Sequence, residues 1–169
     1  CDSWGVDYML FEEDGSLITP THHYRDARCE AGMKTILGKV AWETIYAETG
    51  IQKIPLNTLF QLGAENAKRL RRARYLLSIG DGFNYLLSGV ARTEVSMAST
   101  TQLYNPVRRT WSDLLLGVTG LSRSVLPSIV PSGTTLGPLR PDLAEQGGLE
   151  EAQVVASCSH DTAAAVAAV

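Results

Sequence analysis

The run Tyr75-Leu76-Leu77-Ser78-Ile79, closed by Gly80-Asp81-Gly82, limits the possible folds more than any other stretch. Short, apolar and bounded by glycines, it reads as a buried strand, and a helix is predicted to follow over 83–87 with Gly89 as its stop. Residues 4–11 read as a second strand, carrying Val6, Tyr8 and Leu10, that enters a turn at Asp14-Gly15 and returns through Leu17-Ile18 as a hairpin. Residues 21–28 are polar and aromatic without a period, hence a loop. Met33, Ile36, Leu37, Val40, Ala41 and Ile45 follow three-and-four spacing, and Gly38 divides them into two short helices ending near Gly50.

Asn57 is placed to cap a helix through Leu59, Phe60 and Leu62. Leu70 continues its buried stripe after a break near Gly63, with Lys68, Arg69, Arg71, Arg72 and Arg74 expected to face water. Trp111 to Leu116 is predicted helical, and Pro127 to Pro141, which also holds Pro131, Gly133, Gly137 and Pro138, an extended connection. Gln153 to Ser157 is strand-like and Ala163 to Val169 a helix former, separated by the polar corner Ser159-His160-Asp161-Thr162. The order β, β, α, α, β, α, α, β, α is that of an α/β protein, and 169 residues suit one domain.

Composition removes several classes. Hydrophobic residues at 44% and charged ones at 20% are the balance of a globular chain. A net charge of -3 with one short basic cluster gives no pull toward nucleic acid. Cys1, Cys29 and Cys158 lack any CxxC spacing, so neither a disulfide framework nor a structural zinc is expected, and a reducing cytoplasm fits best. No apolar stretch approaches the ~18 residues of a membrane span, and Asp2 and Asp7 stand where an export signal would be basic and then apolar. A chain opening on a strand-like run without methionine is read as a fragment. There is no GxxxxGK[ST], HExxH or GxSxG, and Gly80-Asp81-Gly82 lacks the third glycine of a dinucleotide fingerprint. His22, His23, Cys29, Cys158 and His160 have no regular ligand spacing, so no metal site is expected.

Three places remain as candidates. The Ser159-His160-Asp161-Thr162 corner lies where open α/β sheets bind ligands, with Asp161 central; Asp161 or Thr162 serves equally well as a helix cap. Trp4-Gly5-Val6-Asp7-Tyr8 offers close backbone approach at Gly5 and a polyol-binding pair in Trp4 and Asp7, or simply a strand with one core aromatic and one exposed acid. Tyr24-Arg25-Asp26-Ala27-Arg28 is a helix-capping loop with an ion pair, or the polar wall of a site.

In order, Asp2-Ser3-Trp4-Gly5-Val6-Asp7-Tyr8, Tyr24-Arg25-Asp26-Ala27-Arg28, Thr49-Gly50-Ile51-Gln52, Asn57-Thr58-Leu59-Phe60-Gln61-Leu62, Asp81 to Gly89, Glu94 to Leu103 and Ser159-His160-Asp161-Thr162-Ala163 resemble the FGGY carbohydrate kinases nearly end to end, most specifically the rhamnulokinase branch. The resemblance implies part of an actin-like, ribonuclease-H-like ATPase domain, a mixed sheet flanked by helices, incomplete here. Residues 1–169 would be a sugar-binding piece lacking the N-terminal phosphate-binding hairpin and the C-terminal ATP domain, so inactive alone. It further implies that Asp161 is the general base and that Gly5, His160 and Thr162 bind sugar, with Trp4, Asp7 and Arg25 lining the same pocket. ATP and Mg²⁺ would serve the whole enzyme and neither would bind this piece. The implied partners are a ketose, the remaining kinase segments and, through exposed sheet edges, a second copy. Another ketose such as fuculose or xylulose, and a non-catalytic carbohydrate-binding or oligomerising module, stay open. The Gly80-Asp81-Gly82-Phe83 segment departs from the family's proline and aromatic around this aspartate.

Overall fold

The computed structural model describes every residue from Cys1 to Val169. Strand β1 (Tyr8–Phe11) is followed by helices α1 (Arg28–Leu37), α2 (Trp42–Thr49), α3 (Thr58–Gly63) and α4 (Ala67–Arg72) before β2 (Tyr75–Ser78) returns antiparallel to it, Tyr8 opposite Ser78 and Phe11 opposite Tyr75. Next come α5 (Ile79–Ser88), β3 (Thr93–Glu94), α6 (Val95–Thr100), β4 (Tyr104–Asn105), β5 (Thr110–Trp111) and α7 (Asp113–Thr119). A 3-10 turn at Arg123–Val125 leads to β6 (Ile129–Val130), β7 (Thr134–Pro138), α8 (Pro141–Gly147), β8 (Gln153–Ala156) and α9 (Asp161–Ala167). The mixed pairing consists of antiparallel β1–β2, β4–β5 and β7–β8 ladders and a parallel β3–β6 ladder.

Both faces of the β1–β2 ribbon are covered, which is why its sequence is apolar without alternation. Tyr8, Leu10 and Leu76 join the larger core with Ile36, Ile45, Phe60 and Leu115, while Met9, Phe11, Leu77 and Ile79 form a smaller one on the other side. In the larger core α1 and α3 touch backbone to backbone. A Cβ on Gly32 would stand 2.0 Å from the Phe60 carbonyl, and one on Gly63 2.4 Å from the Gly32 carbonyl, so only hydrogen fits at either position.

Gly38, Gly50 and Gly89 end α1, α2 and α5 as the sequence predicts. Other expectations are corrected. Residues 4–7 are not strand but a tight turn, and the Leu17-Ile18 return is only a Phe11–Leu17 bridge plus the Ile18 amide donating to Leu10 at 2.8 Å. Helix α5 starts four residues early because the Ser78 hydroxyl caps the Asp81 amide. Gly80 and Gly82 therefore do not turn the chain; added Cβ atoms would meet Met97 at 3.2 Å and Met9 at 2.4 Å. Trp111 lies in β5 rather than a helix, and about half of the proline-rich stretch forms β6 and β7. Arg69 leaves water to pair with Glu65 at 3.2 Å and donate to the carbonyls of Ile18 and Pro20. No helix is long and apolar enough to cross a membrane.

Candidate functional site

Ser3 and His160 form an isolated parallel bridge that joins the two chief candidate segments. The Ser3 amide donates to the Ser159 carbonyl at 2.9 Å and the Asp161 amide to the Ser3 carbonyl at 2.9 Å. Trp4 and Asp161, far apart in sequence, thereby face one hollow of about 520 Å³. Trp4, Gly5, His160, Asp161 and Thr162 all line it, with Gln52, Asn57, Ser99 and Thr100 as further polar wall and Tyr24, Ile51, Ile54 and Leu56 as the less polar side.

The Gly5–Asp7 turn is the floor's most constrained element. The Asp7 amide donates to the Gly5 carbonyl at 2.9 Å and Val6 takes a φ of 69°, a γ-turn that a β-branched residue adopts only under external restraint. The restraint comes from both sides. The Val6 amide donates to the Thr100 hydroxyl at 3.1 Å, while its carbonyl accepts from Thr58 at 2.6 Å and Gln61 at 3.1 Å. Gly5 packs on Thr100 so closely that a Cβ would lie 2.7 Å from its side chain.

Asp7 is expected on the pocket wall and is found beneath it, 2% exposed. One carboxylate oxygen accepts the Trp4 indole N–H at 2.8 Å and the other the Gln61 amide at 3.0 Å, so Asp7 aims a half-exposed indole across the mouth. Arg25 also differs from expectation. It lines an adjoining hollow of about 490 Å³ that shares Tyr24, Ile54 and Leu56 with the first. Its guanidinium stacks 5.5 Å from the Tyr24 ring centre, and Arg28 is the arginine drawn inward, by Glu65 at 3.5 Å.

Asp161 is the first residue of α9, where the helix dipole favours a carboxylate, and its side chain remains 53% exposed toward the hollow. Oδ1 accepts the Thr162 amide and its hydroxyl at 3.0 Å and stands 3.5 Å from His160 Nε2. Asp161 caps only the next amide, and the N-cap is His160 without a side-chain bond. Two buried carboxylates, Asp81 and Glu94, lie behind this corner. Burial pushes Asp81 up to about 7 against the hydrogen bonds from the Ser78 hydroxyl and the Glu94 amide, and the charge of Glu94 adds to the rise.

Sequence reasoning passed over Gln52, Ser99 and Thr100 as pocket residues and read Asn57 only as a cap. The Asn57 side chain instead donates to the Gln52 carbonyl and Gln102 Oε1, each at 3.1 Å, and so shapes the 51–57 wall. The available signal was the run of amides and hydroxyls Asn57-Thr58…Gln61 at the start of α3 and Thr100-Thr101-Gln102 at the end of α6, since buried amides need partners. No three His, Cys, Asp or Glu side chains converge as a metal cage.

A hollow shared by a glycine turn and a strand-to-helix corner is set in the fold of sugar-kinase domains. Xylulose kinase of Lactobacillus acidophilus superposes with a TM-score of 0.83 at 20% identity, over 94% of this chain and 33% of that one. Plasmodium falciparum glycerol kinase with ADP gives 0.82 at 16% identity, over 95% and 33%. The chain belongs to the FGGY family of carbohydrate kinases, whose N-terminal domain matches residues 3–168. It is 39% identical over 165 residues to a rhamnulokinase of Enterococcus faecalis, a match of 98% of this chain and 33% of that protein. The chain thus spans about a third of the length of the relatives it matches.

Proposed function

We infer that this chain is the sugar-binding part of an ATP-dependent ketose kinase, with L-rhamnulose the favoured substrate and L-rhamnulose 1-phosphate the product. The observation that carries the reading is the single hollow in which Asp161 and Thr162 face Trp4 and Gly5. In the proposed mechanism Asp161 accepts the proton of the 1-hydroxyl as its oxygen bonds to the transferred phosphoryl group. His160 and Thr162 hydrogen-bond neighbouring hydroxyls, the Trp4 indole covers the sugar's C–H face, and Gly5, whose missing side chain makes room for Thr100, lends its backbone to the wall. Alignment of the hydroxyl is the main catalytic contribution available here, since phosphoryl transfer depends on positioning and charge stabilisation.

ATP would supply the phosphoryl group and Mg²⁺ would offset its charge. Following the family likeness, the nucleotide and metal are assigned to kinase segments other than this chain, as are the phosphate-binding hairpin and the ATP domain. The thiols of Cys1, Cys29 and Cys158 are free, which suits a cytoplasmic setting. The rhamnulokinase likeness at 39% identity favours rhamnulose over xylulose, because the xylulose kinase match rests on fold at 20% identity.

A coupled assay on the kinase that carries this chain tests the reading. Asp161→Asn is expected to lower kcat by roughly 10²–10⁴-fold while ketose binding persists. Full activity in that variant, or a wild type silent on every ketose, would overturn it; robust turnover by residues 1–169 alone would overturn the assignment of the nucleotide site elsewhere.

A further inference from the structure

Glu94 takes no part in the chemistry above, yet it is 0% exposed and forms no ion pair. A carboxylate removed from water without a counter-cation persists only where hydrogen-bond donors replace both. The donors are present. Oε2 accepts the amides of Ser96 at 2.9 Å, Met97 at 3.3 Å and Ser159 at 3.2 Å together with the Ser96 hydroxyl, and Oε1 accepts the Ser132 hydroxyl at 2.5 Å.

The Ser96 and Met97 bonds cap α6, which is all that a helix N-cap requires. The Ser159 bond reaches instead to the corner that carries Asp161. Ser96 extends it: its hydroxyl donates to Glu94 and accepts the His160 amide at 3.1 Å. The next amide, of Asp161, is held by the Ser3 carbonyl at 2.9 Å. Three consecutive amides up to Asp161 are therefore each tied to a different group, two of them through Glu94.

We propose that Glu94, acting with Ser96, is a positioning residue that fixes the backbone of residues 159–160 and so sets where the Asp161 carboxylate stands over the sugar. This rests on the ketose-kinase reading. A displacement of about 1 Å at a reacting group can cost on the order of 100-fold in rate, so an anchor one and two residues away has a kinetic signature.

The test uses the kinase that carries this chain. Ser96→Ala removes the His160 anchor and leaves the α6 capping amides bound to Glu94; kcat is expected to fall about 10-fold with KM changed less than about 2-fold. Glu94→Ala is expected to lose about 100-fold, and Glu94→Gln, which keeps one accepting oxygen and can donate to Ser132, to recover to within about 5-fold of wild type. Amide hydrogen exchange at Ser159 and His160 should accelerate in Ser96→Ala. Wild-type kcat in folded Ser96→Ala, or losses that follow the folded fraction with Glu94→Gln as poor as Glu94→Ala, would overturn the proposal. If Glu94→Ala does not fold, Ser96→Ala decides. A wild type that phosphorylates no ketose defeats the kinase reading, whereas unchanged exchange at Ser159 and His160 in Ser96→Ala defeats the anchoring itself.

Discussion

Replacing Asp81 by asparagine should remove a pH dependence of stability that the wild type carries. Asp81 is 2% exposed, and burial outweighs the two donors that favour its charged form: one oxygen accepts the Glu94 amide and the other the Ser78 hydroxyl. An asparagine keeps an oxygen for the Glu94 amide and does not titrate; its amide N–H donates to the Ser78 hydroxyl once that hydroxyl rotates to accept. Burial holds Asp81 at about 7 in the folded chain against an ordinary 3.8, so the folded state keeps a proton that the unfolded state releases. The sign follows: this group costs nothing below about pH 4, weakens the fold as pH rises from about 4 to about 7, and contributes a constant penalty above that. Roughly three pH units at 1.36 kcal/mol each give about 4 kcal/mol, equivalent to a Tm difference on the order of 8–16 °C for a domain of this size. Urea unfolding of wild type and Asp81→Asn at pH 4, 6 and 8 measures it. The difference in unfolding free energy should move by about 4 kcal/mol in favour of the variant between the ends of that range. A difference constant to within about 1 kcal/mol, or one that favours wild type at pH 8, would refute the reasoning.

Gly32→Ala puts a methyl 2.0 Å from the Phe60 carbonyl and should destabilise by about 1–3 kcal/mol or more in denaturant unfolding, whereas Gly38→Ala, whose new Cβ lies 3.4 Å from its nearest neighbour, should be tolerated. Asp7→Asn sets an amide donor against the indole N–H or the Gln61 amide, so KM for the ketose should rise about 10-fold and Trp4 fluorescence anisotropy should fall, with kcat less affected. Glu65→Ala leaves Arg28 and Arg69 unpaired and should cost about 3 kcal/mol at neutral pH. Burial alone would raise the Glu65 carboxyl, but the Tyr8 hydroxyl, the Asn66 amide and the two arginines hold it below the usual range. The wild type should therefore keep this contribution above about pH 4.3 and lose it as pH falls further, while Glu65→Gln shows no such acid-side loss in urea unfolding at pH 3 and 6.

Elements whose signal is local were legible in the sequence. The 75–78 strand, the helix breaks at Gly38, Gly50 and Gly89, and the strand-corner-helix at 153–167 all follow from apolar spacing and glycine conformation. Misreadings arose where one residue type has two uses. Gly80 and Gly82 read as punctuation in sequence, but the missing side chains there make room for Met97 and Met9, a fact of packing that no window around residue 80 contains. Trp4 to Asp7 alternate like a strand, yet contacts from Thr58, Gln61 and Thr100 force Val6 into a positive φ. The pocket wall is under-read for a similar reason, since Asn57 and Gln102 lie 45 residues apart in sequence and acquire meaning only when they meet at 3.1 Å.

The Ser3–His160 bridge carries a consequence for biosynthesis. A contact spanning more than 150 residues closes one of the largest loops this chain can make, and long-range closures come late and slowly. On a ribosome the Ser3 amide and carbonyl must wait without their Ser159 and Asp161 partners until the segment around Ser159 leaves the exit tunnel. The two walls of the hollow are therefore joined after the cores around Phe60 and Leu77 can already have formed, so a stall in translation before Ser159 would yield a largely folded chain whose hollow lacks its Asp161 wall.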